Sequence, residues 1–371
     1  MRNAGIAPPV RTGIMGKIAE RLPKPSGEQL FKPRYPSLNL LNRCNASCVT
    51  CCEDSNHRPY KPYSEKEALS VLEDLAPKLE PEEKLLHIWG GEPFLMPKLL
   101  FGVIGGAVEL GYSVNVATNG FWGKDINRAR SYIDRAVSIT QNNFSLFFSW
   151  DGSHSDQKAL KPDHIANILS VIIGDGKKVG VSFSCLPFGR SNALKDLEEK
   201  VSGITDLPFM ICERNLGLDL GDRFMPVFPI GLLTPSLTGR CTRSLAPFFW
   251  EHPLSPEALM GDRPMFSAYA IGLDRKMYVS TQLTSGGVLP MGDVTEGAET
   301  LAARANADPV AVSLMKHGFN EIFPVMRQLF DADRWIGNFY SPPDILLHLE
   351  NDDPFAALEA AEDLINNRSG A

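Results

Sequence analysis

The stretch "LNLLNRCNASCVTCCEDSNH", residues 38–57, decides how the rest of the chain is read. A short apolar run ends at Asn42, and four of the chain's seven cysteines follow at once: Cys44, Cys48, Cys51 and Cys52. A secreted disulfide scaffold would spread an even number of cysteines along a shorter chain. Thiols crowded behind one strand point instead to a soft metal. Cys44, Cys48 and Cys51 are spaced C-x3-C-x2-C, which suits an iron–sulfur cluster or zinc. Structural zinc usually takes four ligands as two separated pairs. No second C-x2-C pair exists, so Cys52 or His57 would have to complete a zinc site. Three thiolates on a four-iron cluster would leave one iron open to a small molecule. Cys52 directly follows Cys51, and adjacent side chains rarely aim at one centre, so it is expected not to be a ligand.

Outward from this loop the patterning alternates between strand and helix. Strands are expected at 37–42, 84–89, 113–117, 144–150, 178–186 and 207–212. Helices are expected at 64–79, 97–110, 126–138, 162–176 and 192–202. Ser64 and Glu67 make a capping box, and Pro97 suits a first helical turn. Six alternations imply a parallel sheet, and crossovers taken in chain order curl such a sheet into a full or partial barrel. Strand C-terminal ends then share one rim. The cysteines, Gly90-Gly91-Glu92-Pro93, Thr118-Asn119-Gly120 and Ser149-Trp150-Asp151-Gly152 all lie at such ends. The fold class expected is α/β, a partial (β/α)6 barrel with a smaller C-terminal α+β extension. An N-terminal arm (1–34), the barrel (35–216), a Pro- and Gly-rich connecting segment (217–264) and the extension (265–371) divide the chain. In the extension a hairpin is expected over 268–281 and short helices over 296–331.

Composition narrows the classes of function. The chain has 371 residues, a formal charge of -7 and 22% charged residues, with no basic stripe for a nucleic-acid backbone. No apolar run has the length of a membrane span or a signal peptide, so a cytoplasmic protein is expected. Cys185, Cys212 and Cys241 read as buried thiols. His87 reads as a core histidine, and no G-x-G-x-x-G element argues for a dinucleotide site.

The cysteine spacing after a first strand, with Gly90-Gly91-Glu92-Pro93 after the second, resembles the radical S-adenosylmethionine (radical SAM) superfamily. The turns at Thr118-Asn119-Gly120 and Ser149-Trp150-Asp151-Gly152 are similar to turns common there, and the resemblance covers about residues 36–215. It implies one [4Fe-4S] cluster on Cys44, Cys48 and Cys51. It also implies S-adenosylmethionine held by Gly90, Gly91, Glu92 and Pro93, with Thr118, Asn119, Ser149 and Asp151 as further candidates. An electron from the cluster would release a 5′-deoxyadenosyl radical that takes hydrogen from a substrate. Thr50 stands where the family commonly has an aromatic residue near adenine. The stretch "YAIGLDRKMYVSTQLTSGGVLPMGDVTEG" resembles the SPASM extension of peptide- and sugar-modifying members. Here no cysteine follows Cys241, so the auxiliary clusters are expected to be lost. Cys241 is a candidate hydrogen donor, the role that radical epimerases require of a cysteine.

These readings imply an enzyme, a radical SAM oxidoreductase or maturase. Its substrate would be a peptide or a small molecule (a sugar, an aminoglycoside or an amino acid), and the C-terminal resemblance favours peptide maturation. A flavodoxin or ferredoxin is the expected electron donor, and neither nucleic acid nor membrane is expected as a partner. The rival readings are a zinc or iron–sulfur module without catalysis, and a degenerate binder that does not turn over.

Overall fold

A computed structural model describes residues 7–48, 51, 53, 55–56, 60–141, 143–150, 152–185, 196–197, 199–202, 209–211, 216–219, 224–229, 269–284, 287, 289–318 and 320–329. The chain divides into two compact units, one of Met1–Ser37, Thr50–Asp54 and Thr234–Ala371, the other of Leu38–Val49 and Ser55–Leu233.

The second unit carries strands β1 (Ser37–Leu41), β2 (Leu85–Gly90), β3 (Ser113–Thr118), β4 (Phe144–Ser149), β5 (Gly180–Cys185), β6 (Phe209–Ile211), β7 (Leu216–Asp219) and β8 (Phe224–Pro229). Its helices are α2 (Glu65–Leu75), α3 (Pro97–Glu109), α4 (Ile126–Thr140), the single turn α5 (Gly152–Ser155) and α6 (Pro162–Gly174). The strand order is β1-β2-β3-β4-β5-β8-β7-β6, an open mixed α/β sheet. β2 to β5 pair in parallel and in chain order. Helices α2, α3, α4 and α6 are likewise neighbours in chain order, as successive crossovers on one face require.

The alternation along each strand explains the layers. Leu86 and Ile88, Val114 and Val116, Leu146 and Phe148, and Val181 and Phe183 are buried on one face. His87, Trp89, Asn115, Ser145, Phe147 and Ser149 are half-buried on the other. β1 is buried along its whole length. α2 starts at the capping box read from sequence: Ser64 accepts from the Glu67 N–H at 3.2 Å while Glu67 takes the Ser64 N–H at 2.7 Å. Asp125 caps α4 by accepting from Asn127 and Arg128.

One strand assignment is corrected. The 207–212 run was expected to be the sixth parallel strand. Instead β6 lies at the far edge and pairs antiparallel with β7. The strand parallel to β5 is β8, inside the segment read as a connector. Pro226 and Pro229 hid it, because proline removes a ladder donor and argues against a strand. Phe224, Met225, Val227 and Phe228 supply the β-forming character between them.

The other unit holds α1 (Gly13–Arg21), the antiparallel strands β9 (Ala270–Ile271), β10 (Lys276–Tyr278) and β11 (Gly292–Asp293), the turn α7 (Thr281–Thr284) and helices α8 (Ala298–Ala307), α9 (Pro309–His317) and α10 (Ile322–Leu329). β9 and β10 form the hairpin expected from sequence. The N-terminal segment read as an arm contains α1 and is grouped in the same unit as the C-terminal helices. α1 packs on α9 and α10. Arg11 reaches the fully buried Asp308 through Nε at 3.0 Å and Nη2 at 2.6 Å. The other Asp308 oxygen caps α9, accepting from Val310 at 2.8 Å. Asn306 clasps the Phe31 backbone in both directions. Among the described residues no helix is long and apolar enough to cross a membrane.

Candidate active site

The turns at the C-terminal ends of β1, β2 and β3 are joined by hydrogen bonds. The exit from β1 is fixed by the turn after β2. Gly91 N–H donates to the Leu41 carbonyl at 2.6 Å, and Glu92 N–H to the Arg43 carbonyl at 2.9 Å. A Cβ on Gly90 would land on the Leu41 carbonyl, and one on Gly91 on the Arg43 carbonyl. Gly90 also has φ +128°, a region that side chains avoid. The structure gives a reason for the glycine pair, the passage of the cysteine loop's own backbone.

Glu92 is fully buried. Its carboxylate accepts from the Asn119 N–H at 2.7 Å, the Phe94 N–H at 3.1 Å and the Thr118 hydroxyl at 3.0 Å. Burial pushes its pKa up to about 7, while the Asn119 and Phe94 amides, Thr118 and the charge of His154 pull the other way. Thr118 Oγ1 in turn accepts from Gly120 N–H and Trp122 Nε1–H, each at 3.1 Å. The pocket rests on an aromatic cluster. Phe94 stacks on Trp122 at 4.5 Å and on Tyr132 at 5.7 Å. A carboxylate buried among N–H and O–H donors is suited to receive a cation, since a second charge would relieve the burial that now opposes its ionisation.

Asn119 extends this network to the cysteine loop. Its Nδ2 donates to Asn45 Oδ1 at 3.0 Å and lies 3.8 Å from Cys44 Sγ. The Ala46 N–H points at the same sulfur from 3.4 Å. Thiolate sulfur accepts such bonds far better than a thiol does, so this donor set fits a cysteine held as a metal ligand. Gln157, beyond β4, accepts from the Ser47 N–H at 3.0 Å. Asn56 was missed by sequence reading. Its side chain accepts from Cys44 N–H at 2.8 Å and donates to Cys44 carbonyl at 2.9 Å, with φ +72°. Asn tolerates that backbone region, and the bond closes the loop across twelve residues.

Cys48 is buried, Cys44 and Cys51 are half-buried, and none of the three is in a disulfide. Cys44 and Cys48 belong to the second unit, while Cys51 lies in the short stretch grouped with the first. Among the described residues no three His, Cys, Asp or Glu side chains are drawn together as a metal site. Pro93 is buried at the start of the short 3₁₀ turn after Glu92. Ser149 ends β4 on the half-buried face, opposite Ser184 of β5. Thr50, Cys52, His57, Asp151, Cys212 and Cys241 lie outside the described residues. On the same half-buried face His87 Nδ1 meets Asn115 Oδ1 at 2.6 Å, and Asn115 Nδ2 donates to Ser145 at 2.7 Å. Burial holds the His87 pKa below its ordinary value.

No protein-family model matches the chain. It is 28% identical over 133 residues to the putative peptide biosynthesis protein YydG of Bacillus subtilis (strain 168), a match covering 36% of this chain and 40% of that protein. A solved structure, histidine-tagged anSMEcpe with bound AdoMet, aligns with 88% of this chain and 94% of its own, at 14% identity and a TM-score of 0.45. The cysteine spacing after β1, the Gly-Gly-Glu-Pro turn after β2 and the Thr-Asn-Gly turn after β3 resemble those of the radical SAM superfamily. The chain spans 40% of the length of the curated relative it matches.

Proposed function

We propose that the chain is a radical SAM enzyme of peptide maturation. The observation that carries the reading is the continuous path of bonds from the first cysteine to the buried carboxylate. Cys44 Sγ, Asn119 and Glu92 are joined through one residue. Cys44, Cys48 and Cys51 are assigned to a [4Fe-4S] cluster by their spacing in the chain. Glu92 is assigned to the ammonium group of S-adenosylmethionine, with Thr118 and the Asn119 and Phe94 amides orienting the carboxylate. Gly90, Gly91 and Pro93 shape the turn, and Ser149 and Asp151 remain assigned to the same ligand. When bound, the cluster and S-adenosylmethionine supply a 5′-deoxyadenosyl radical that removes hydrogen from substrate carbon.

The strand order and the helices in chain order support a partial barrel opening toward these turns. The β9–β10 hairpin supports a SPASM-like extension without auxiliary clusters, since Ser280 and Thr281 stand where a cysteine ligand would be expected. A peptide substrate is favoured by the name of the YydG relative. A flavodoxin or ferredoxin would deliver the electron, in the cytoplasm. Cys241 stays assigned as a candidate hydrogen donor.

The test is anaerobic reconstitution, iron and sulfide counting, then dithionite and S-adenosylmethionine with 5′-deoxyadenosine followed by chromatography. About four irons per chain, with product lost in Cys51→Ala, is the expected result. Zinc in place of iron would overturn the reading.

A further inference from the structure

Asn119 does more than line a ligand pocket. Its amide orientation is fixed, because Oδ1 accepts from the Phe121 N–H at 3.1 Å. The NH₂ group must therefore face the cysteine loop, where one direction meets Asn45 Oδ1 and the other Cys44 Sγ. With the Ala46 N–H, two donors are aimed at one sulfur. The backbone N–H of the same residue holds Glu92. A single residue thus ties the sulfur of the first cysteine to the carboxylate pocket. We propose that Asn119 is a positioning residue whose side-chain amide donates to the Cys44 sulfur and raises the reduction potential of the centre that Cys44 ligates.

The physical reason is charge. Reduction adds an electron to a centre whose sulfurs already carry negative charge, and N–H donors to those sulfurs stabilise the reduced form. The inference deepens the radical SAM reading and rests on it for the identity of the centre. The contact between Asn119 and Cys44 does not.

Two variants test it. Asn119→Asp keeps the shape and the oxygen that accepts from Phe121, but replaces the donor by a negative oxygen. Asn119→Ser keeps the backbone bond to Glu92 and a hydroxyl for the turn, but is too short for the sulfur. Both should take up iron and sulfide like the parent. The midpoint, followed by electron paramagnetic resonance in a redox titration, should move to more negative potential in both, further in Asn119→Asp. Parent-like midpoints in both loaded variants would overturn the proposal. The second readout needs no cluster. In spectra of the ¹⁵N-labelled, metal-free full chain, the side-chain amide pair that vanishes in Asn119→Asp should shift in Cys44→Ala. An unmoved pair would also overturn it. A parent chain that takes no iron would sink the radical SAM reading and the effect on potential with it, while the spectra would still decide whether Asn119 donates to the Cys44 sulfur.

Discussion

Replacing Thr118 by Val is a near-isosteric change that removes one oxygen, and that oxygen has three partners. It donates to Glu92, and it accepts from Gly120 N–H and Trp122 Nε1–H. Thr118 is 3% exposed and Trp122 fully buried, so water cannot replace the lost partner. Each buried donor left without an acceptor costs about 1–3 kcal/mol, and a hydrogen bond to a charged carboxylate contributes about 1.5–3 kcal/mol. Taking the low end of each range, Thr118→Val should lose about 3.5 kcal/mol. Thr118→Ser keeps the hydroxyl and sacrifices one methyl, about 1 kcal/mol. Urea unfolding monitored by tryptophan fluorescence reads the difference directly. If the Val variant unfolded within about 1 kcal/mol of the Ser variant, the hydroxyl would not be the hub described here, and the account of the Glu92 pocket would fail.

Glu92 gives a pH dependence of known sign. Its folded pKa of about 7 is raised above the ordinary value of 4.5, so the fold binds the proton more tightly than the unfolded chain. That stabilisation is complete below pH 4.5, falls as pH rises to about 7 and is then constant, a total of about 3 kcal/mol. Unfolding of Glu92→Gln across the same window should lack this slope, and an unchanged slope would assign it elsewhere. Arg11→Ala should destabilise the first unit by about 3–5 kcal/mol, because it leaves Asp308 charged and buried. A thermal shift below about 1 °C would contradict that ion pair. Asn56→Ala should lower iron uptake on reconstitution, and Asn56→Gly, which restores backbone freedom but neither Cys44 bond, should fail to rescue it. Gly91→Ala should yield little folded protein, since its methyl would occupy the Arg43 carbonyl, and soluble yield at parent level would refute the crossing of the two turns.

The site was legible where local chemistry and chain order agreed. The strand–helix alternations through β5 were legible, with β2 to β5 pairing in parallel and in chain order, and the capping box at Ser64 appeared where its letters placed it. Pro226 and Pro229 concealed β8, because proline's local preference opposes a strand that sheet pairing nonetheless stabilises. Asn56 could not be read at all. Its role depends on a left-handed backbone and a partner twelve residues away, and neither leaves a periodic trace. Arg11 and Asp308 were equally silent, since a contact over 297 residues has no signature in any window.

That last separation sets a timetable for synthesis. During synthesis Asp308 is added 297 residues after Arg11. At ordinary elongation rates the interval is roughly 15–60 s. Throughout it, α1 has neither α9 nor α10 to cover Met15 and Ile18, both of which end fully buried. The parallel strands, whose partners are near in sequence, can assemble while the amphipathic α1 still waits. In a cell the growing chain therefore carries an unsatisfied apolar stripe on α1, a natural ligand for chaperones until α9 and α10 are made.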